Sequence, residues 1–138
     1  MLIHPPHTTT PPTPPTRPID PGDMHTLSGA WLRATRDGLG LSSQELADTL
    51  GAGLRTVQRW ETTHAPAWAV TKLDQISRET LEWLDMLESE TRPVGLFRDG
   101  WHALRDGTLI PASWWRTTVG HATIRNLSLP IEWADVDG

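Results

Sequence analysis

The stretch "SSQELADTLGAGLRTVQRWE", residues 42–61, decides the fold. Two short runs of helical period meet at a glycine-rich corner. Ser42 or Ser43 can cap the first run, and Glu45 then falls in its first turn, near the positive end of the helix dipole. Leu46, Ala47 and Leu50 supply its apolar stripe. Gly51 offers a backbone able to reach positive φ, which a sharp turn needs. The second run, Leu54 to Glu61, sets Val57 and Trp60 three apart on one face. Upstream, Ser28 can cap a preceding helix carrying Trp31, Leu32 and Thr35, with Leu39 closing its inner face. Gly38 and Gly40 are expected to break it.

Working outward toward the C-terminus, "PAWAVTKLDQISRETLEWLDMLESE" (residues 66–90) opens on Pro66, suited to a first helical turn. Trp68, Ala69, Leu73, Ile76, Leu81, Trp83, Leu84 and Leu87 approximate a helical period. The spacing slips near Ser77 to Thr80; one long helix is the preferred reading. Residues 91–138 change character. "VGLF" and "TLI" read as short strands. "PASWWRTTVGHATIRN" reads as a helix with Trp115, Val119 and Ala122 in register. "LSLPIEW" alternates Leu127, Leu129, Ile131 and Trp133 as a final strand, which Pro130 confines to an edge or to one-sided pairing.

Toward the N-terminus, residues 1–26 hold eight of the chain's twelve prolines. Few apolar side chains accompany them, so a disordered or polyproline II tail is expected. The PxxP spacings at Pro11/Pro14 and Pro15/Pro18, with Arg17 between, fit a proline-reading partner less well than a passive tail. Met24 stands where the folded pattern begins, which raises the idea of a start there and a dispensable tail. The expected organisation is therefore a Pro-rich tail over 1–26, a DNA-binding domain with its long helix over 27–90, and a small α/β unit over 91–138.

The corner resembles the helix-turn-helix of lambda-repressor-like, or Xre-type, regulators. Leu32, Arg36, Leu39, Leu41, Glu45, Leu46, Ala47, Leu50, Gly51, Val57, Trp60 and Glu61 carry the resemblance, over residues 28–62. More loosely, the segments around Trp60–Ile76 and Ile110–Trp133 resemble bacterial and phage regulators with a long helix and a small C-terminal unit. The fold class implied is mainly α: a helix-turn-helix bundle, a long helix, then the α/β unit. In this geometry the last helix enters the major groove and its N-terminal residues meet base edges. With Val57 and Trp60 facing the core, Leu54, Arg55, Thr56, Gln58 and Arg59 face outward. Arg pairs in bidentate fashion with guanine and Gln with adenine, so Arg55 and Arg59 are the chief candidate readers. Ser43 and Gln44 are candidate phosphate ligands at a helix N-terminus. The resemblance also implies an ion pair between Arg36 and Glu61 that fixes geometry. The chain departs from the family pattern in Ser43, where Gln is common, and in Gly53, where a Ser or Thr cap is usual; modest affinity per monomer follows.

The net charge of -5 stands against DNA binding, yet residues 28–62 carry four arginines against four acids. The excess lies in residues 73–90, where Asp74, Glu79, Glu82, Asp85, Glu88 and Glu90 face only Arg78. Local phosphate neutralisation sets affinity, so the reading is a homodimer, built through the long helix and C-terminal unit, on an inverted-repeat operator. Its function is transcriptional regulation, most simply repression; the alternative is an antitoxin or protein-interaction module whose C-terminal part binds a protein.

Composition bounds the rest. Eight Trp, one Phe and no Tyr point to a tryptophan-rich core more than to base-stacking platforms. With no Cys there is no disulfide framework or thiolate nucleophile. No apolar run approaches a membrane span, and no secretory signal stands at the start; a cytoplasmic protein without membrane contact is expected. His64, His102 and His121 are too few and too scattered for a metal site. No acid/base pair or phosphate-binding loop supports an enzyme, and no cofactor is implied.

Overall fold

The computed structural model describes residues 1–12 and 26–135. Its helices are α1 (Gly29–Leu39), α2 (Ser43–Leu50), α3 (Leu54–Thr62), α4 (Ala67–Leu87) and α5 (Ala112–Arg125). Its strands are β1 (His7–Thr8), β2 (Leu27–Ser28), β3 (His64–Ala65), β4 (Val94–Leu96), β5 (Trp101–Ala103), β6 (Leu109–Pro111) and β7 (Ile131–Trp133). Two compact units result: Pro12–Ser77, and Met1–Pro11 together with Arg78–Gly138. The division falls inside α4, earlier than the boundary at residue 90 that the sequence suggests.

The mainly α expectation needs correcting. The described residues are 52% helical and 16% strand, an α/β mixture. The strands are two or three residues long, too short for the alternation that marks a strand in sequence. They pair as β1-β5-β6, β2-β3 and β4-β7.

In the helical unit, Leu32, Leu39, Leu41, Leu46, Ala47, Leu50, Val57 and Trp60 form the core. Antiparallel pairing of Leu27 with Ala65 and Ser28 with His64 ties the entry to α1 to the exit from α3. Gly38 does not break α1; it lies within the helix, with open space where a Cβ would go. Gly40 ends the helix in the left-handed region at φ 74°.

Helix α4 is continuous through Ser77–Thr80, and its buried positions explain the slip in the pattern. Leu73, Ile76, Thr80, Leu84 and Leu87 are buried while Leu81 is exposed. Thr80 fills the core position where an apolar residue is missing, and its hydroxyl accepts a hydrogen bond from Trp114 Nε1 at 2.9 Å.

The other unit is built on α5, whose Trp114, Trp115 and Val119 are buried. Trp115 Nε1 donates to the Gly95 carbonyl at 2.8 Å, so both indoles meet the polar requirement of burial. The tryptophan-rich core is partial: Trp60, Trp114 and Trp115 are buried, but Trp133 is 42% exposed beneath the Arg98 guanidinium, 4.0 Å from the ring centre. The expected strand over Leu127–Trp133 is also shorter. Asn126 donates through its side chain to the Leu87 and Glu90 carbonyls, and Leu129 N–H turns back to Asn126. Only Ile131–Trp133 remains extended. That strand runs parallel to β4, its one strand partner.

The disordered-tail expectation fails for residues 1–11. Ile3 bridges to Val94, and His7–Thr8 pair antiparallel with Trp101–His102. Proline's missing N–H costs nothing here because the segment is held through proline carbonyls. Pro6 accepts from Ala103 N–H at 2.9 Å, and Pro5 accepts from His102 Nδ1 at 3.1 Å. Residues 13–25 of the proposed tail, including Met24, Pro14, Pro15, Arg17 and Pro18, lie outside the described residues.

Candidate nucleic-acid interface

Helix α1 starts at a Ser28 cap whose hydroxyl accepts from Trp31 N–H at 3.1 Å. Helix α2 starts at Ser42, not Ser43. Ser42 Oγ accepts from Glu45 N–H at 3.1 Å, and the Glu45 carboxylate accepts from Ser42 N–H at 2.9 Å, a reciprocal capping box. Gly51 closes α2 at φ 70°. Helix α3 starts at Gly53 without any side-chain cap. Alternating caps and left-handed glycines thus set three helices around the buried apolar stripe.

The last helix is fixed against the first by polar and steric means. Arg36 donates from Nε at 3.2 Å and Nη2 at 3.0 Å to Glu61 Oε1. Arg36 Nη1 donates to the Leu41 carbonyl at 2.9 Å. The guanidinium and carboxylate side chains are only 9% and 12% exposed. A pair so placed fixes geometry more than it adds net stability, because both charges give up water. Gly29 lies so near the α3 backbone that a Cβ would overlap the Glu61 carbonyl. On the opposite side, Trp60 meets Trp68 edge to face at 5.5 Å. Neither Gly29 nor the Leu41 carbonyl was singled out from sequence; both depend on close backbone approach, for which Gly29 at a helix start is the one visible sign.

The outward side of α3 is open. Arg55, Gln58 and Arg59 are exposed, and Leu54 and Thr56 are half-buried. Arg55 and Arg59 stand four apart, one helical turn, and their side chains make no ion pair or side-chain hydrogen bond among the described residues. By contrast Arg33 is paired with Asp37 at 3.1 Å and Arg36 with Glu61. Residues 28–62 are neutral by count, yet Arg55 and Arg59, the two arginines there without an ion pair among the described residues, lie together on α3.

The two phosphate candidates are placed differently from expectation. Ser43 is half-buried, and its hydroxyl is 3.5 Å from Glu61 Oε2. Gln44 is exposed, but its amide donates to Asp48 Oδ1 at 2.9 Å. Both side chains are occupied within the chain. Their backbone N–H groups, at the first turn of α2, remain available to an anion.

Elsewhere, His102 is brought together with His4 and His7, not with His64 or His121. Among the described residues, no group of three or more His, Asp or Glu is arranged to hold a metal ion. No helix among them is long and apolar enough to cross a membrane. The chain matches no family model, no curated protein and no solved structure.

Proposed function

We propose that the protein is a sequence-specific double-stranded DNA-binding transcriptional regulator, acting as a homodimeric repressor on an inverted repeat. The observation that carries this reading is the unpaired Arg55–Arg59 face on a helix whose reverse side is locked by Val57, Trp60 and the Arg36–Glu61 pair. A rigid helix with free arginines one turn apart suits base reading in the major groove. Gln58 and Thr56 flank them, and Leu54 can touch a thymine methyl. The first-turn N–H groups of α2 then take a phosphate in place of the Ser43 and Gln44 side chains. With so few unneutralised cations in one copy, a second copy supplies the remaining phosphate contacts.

Selecting bound sequences from random duplex DNA with the full chain tests the reading. An inverted repeat with half-sites about 34 Å apart is expected for a two-fold dimer. Each bidentate arginine–guanine pair is worth about 1–3 kcal/mol of discrimination. Arg55→Ala plus Arg59→Ala should therefore abolish preference for the selected site in a mobility shift. Equal binding by the double variant would refute the assignment.

A second reading, a module whose C-terminal part binds a protein, rests on exposed apolar side chains. Ile124 is 77% and Leu127 90% exposed, and Ile131 and Trp133 stand open nearby in sequence. Stoichiometric co-purification of a different protein would favour it, whereas a lone homodimer would favour the first reading.

A further inference from the structure

The first eleven residues form part of a unit whose other residues begin at Arg78, and imidazoles fill the junction. His102, on β5, is fully buried. Its Nδ1 donates to the Pro5 carbonyl, which leaves Nε2 as a bare acceptor without a hydrogen-bond partner. His7 stacks on Phe97 at 3.7 Å between ring centres and lies 5.2 Å from the His102 ring. His7 Nε2 donates to the Asp99 carbonyl at 2.8 Å. His4 meets Phe97 edge-on at 4.8 Å, lies 6.3 Å from His102, and donates from Nδ1 to the same Pro5 carbonyl at 2.7 Å. Three imidazoles thus surround one phenyl ring, and two of them share one carbonyl.

Among the described residues, no carboxylate is hydrogen-bonded to the His102 ring. From the N-terminal segment, the titratable groups facing His102 are His4 and His7. From the turn after β4 come Phe97, Arg98 and Asp99. Asp99 meets His7 through its carbonyl, and Arg98 is paired with Asp135. From α5 come the Trp114 and Trp115 rings, followed by Arg116, whose guanidinium donates to the Phe97 and Arg98 carbonyls. The paired strand β6 contributes Leu109, Ile110 and Pro111, none of them titratable. A cationic His102 would meet two further imidazoles and aromatic rings, with no acceptor for its new N–H.

We propose that residues 1–11 form a proton-released latch, held on this unit while His102, packed against His4 and His7, is neutral and freed when its ring takes up a proton. Release exposes the backbone edge of β5 that Pro6 and β1 cover, and the Gly95 N–H that Ile3 covers. The proposal is independent of DNA binding.

The sign follows from linkage. Burial holds the His102 pKa down at about 4, from an ordinary 6.5, and the charges of His7 and His4 push the same way. The latched state binds fewer protons than the released one, so latching is strongest above pH 6.5 and weakens as pH falls toward 4. One proton linked to release gives up to about a tenfold loss of latching per pH unit.

Residue-resolved amide exchange on the full chain, by NMR from pH 7.5 to 4 and corrected for intrinsic rates, tests this. The N–H groups of Ile3, Gly95 and Ala103 bond across the latch, to Pro93, Ile3 and Pro6. Those of Leu104 and Ala112 bond to Thr108 and Gly100, within the rest of the unit. The latch amides should lose protection below pH 6.5 while the reference amides keep theirs. His102→Asn, which retains a donor for Pro5 but cannot ionise, should flatten the pH dependence. If that variant does not fold, His4→Gln plus His7→Gln should make it shallower. Loss of latch and reference amides in step would overturn the proposal, as would protection unchanged to pH 4 or a wild-type slope in the variants.

Discussion

The helical unit and the C-terminal unit reach similar order by opposite routes. The first is built from one run of chain, with caps, glycine turns and an apolar stripe all within Leu27–Val70. The second joins the first eleven residues to a segment beginning at Arg78, and its strands pair across the whole length of the chain. Polar groups also serve differently. In the helical unit a buried ion pair, Arg36–Glu61, fixes one helix on another. In the C-terminal unit the buried polar side chains among the described residues are neutral: two indoles, two threonines and an imidazole. The contrast teaches that one unit buries a charge only with its counter-charge, whereas the other buries neutral polar groups, His102 among them.

The largest expected effect tests whether the units stand apart. Trp115→Ala removes a fully buried indole and its bond to Gly95, at a cost of about 3–5 kcal/mol. Amide protection in α5 and the β4–β7 pair should collapse while α1 to α3 keep theirs. Loss throughout the chain would mean the two units unfold together.

Next is the converse experiment. Glu61→Ala leaves the Arg36 guanidinium buried with the Leu41 carbonyl as its main partner, a loss of about 3 kcal/mol. Thermal unfolding should show the helical unit melting first, and on the proposed function DNA binding should fall alongside. Arg36→Met plus Glu61→Leu should recover stability more than binding. If the double variant is as unstable as Glu61→Ala, the pair contributes more than geometry.

The smallest effect concerns Gly53, where α3 starts without a side-chain cap. A Cβ there meets only Thr56 Oγ1, at 3.8 Å. Gly53→Ser should raise the stability of the helical unit by a few tenths of a kcal/mol, readable as a small shift in urea midpoint. A destabilised Gly53→Ser chain would show that the loop tolerates no side chain.

The same contrast governs what the sequence discloses. Helices α1 to α3 are legible because their signals repeat within three or four residues: Ser28 and Ser42 before apolar stripes, Gly40 and Gly51 after them. The outward set Leu54, Arg55, Thr56, Gln58 and Arg59 follows once Val57 and Trp60 are placed inside. Ser43 and Gln44 show the limit of that logic, since their intrachain partners Glu61 and Asp48 depend on distances that no spacing rule gives. Strand β1 was not legible. "PPHTT" carries no alternation, and its partner, Trp101–Ala103, lies more than ninety residues away. Thr80 interrupts the apolar spacing for a different reason, a polar residue in a core position whose indole partner is distant in sequence, yet the one long helix read there stands.

The sequence distance between Pro5 and His102, 97 residues, also sets an order of assembly. A ribosome delivers the N-terminal segment first, but its docking surface last. The helices of the other unit need only near neighbours and can form as they emerge. The opening residues must wait, unpaired, until β5 and α5 exist. Closing so long a loop is slow, which makes the C-terminal unit the late step of folding.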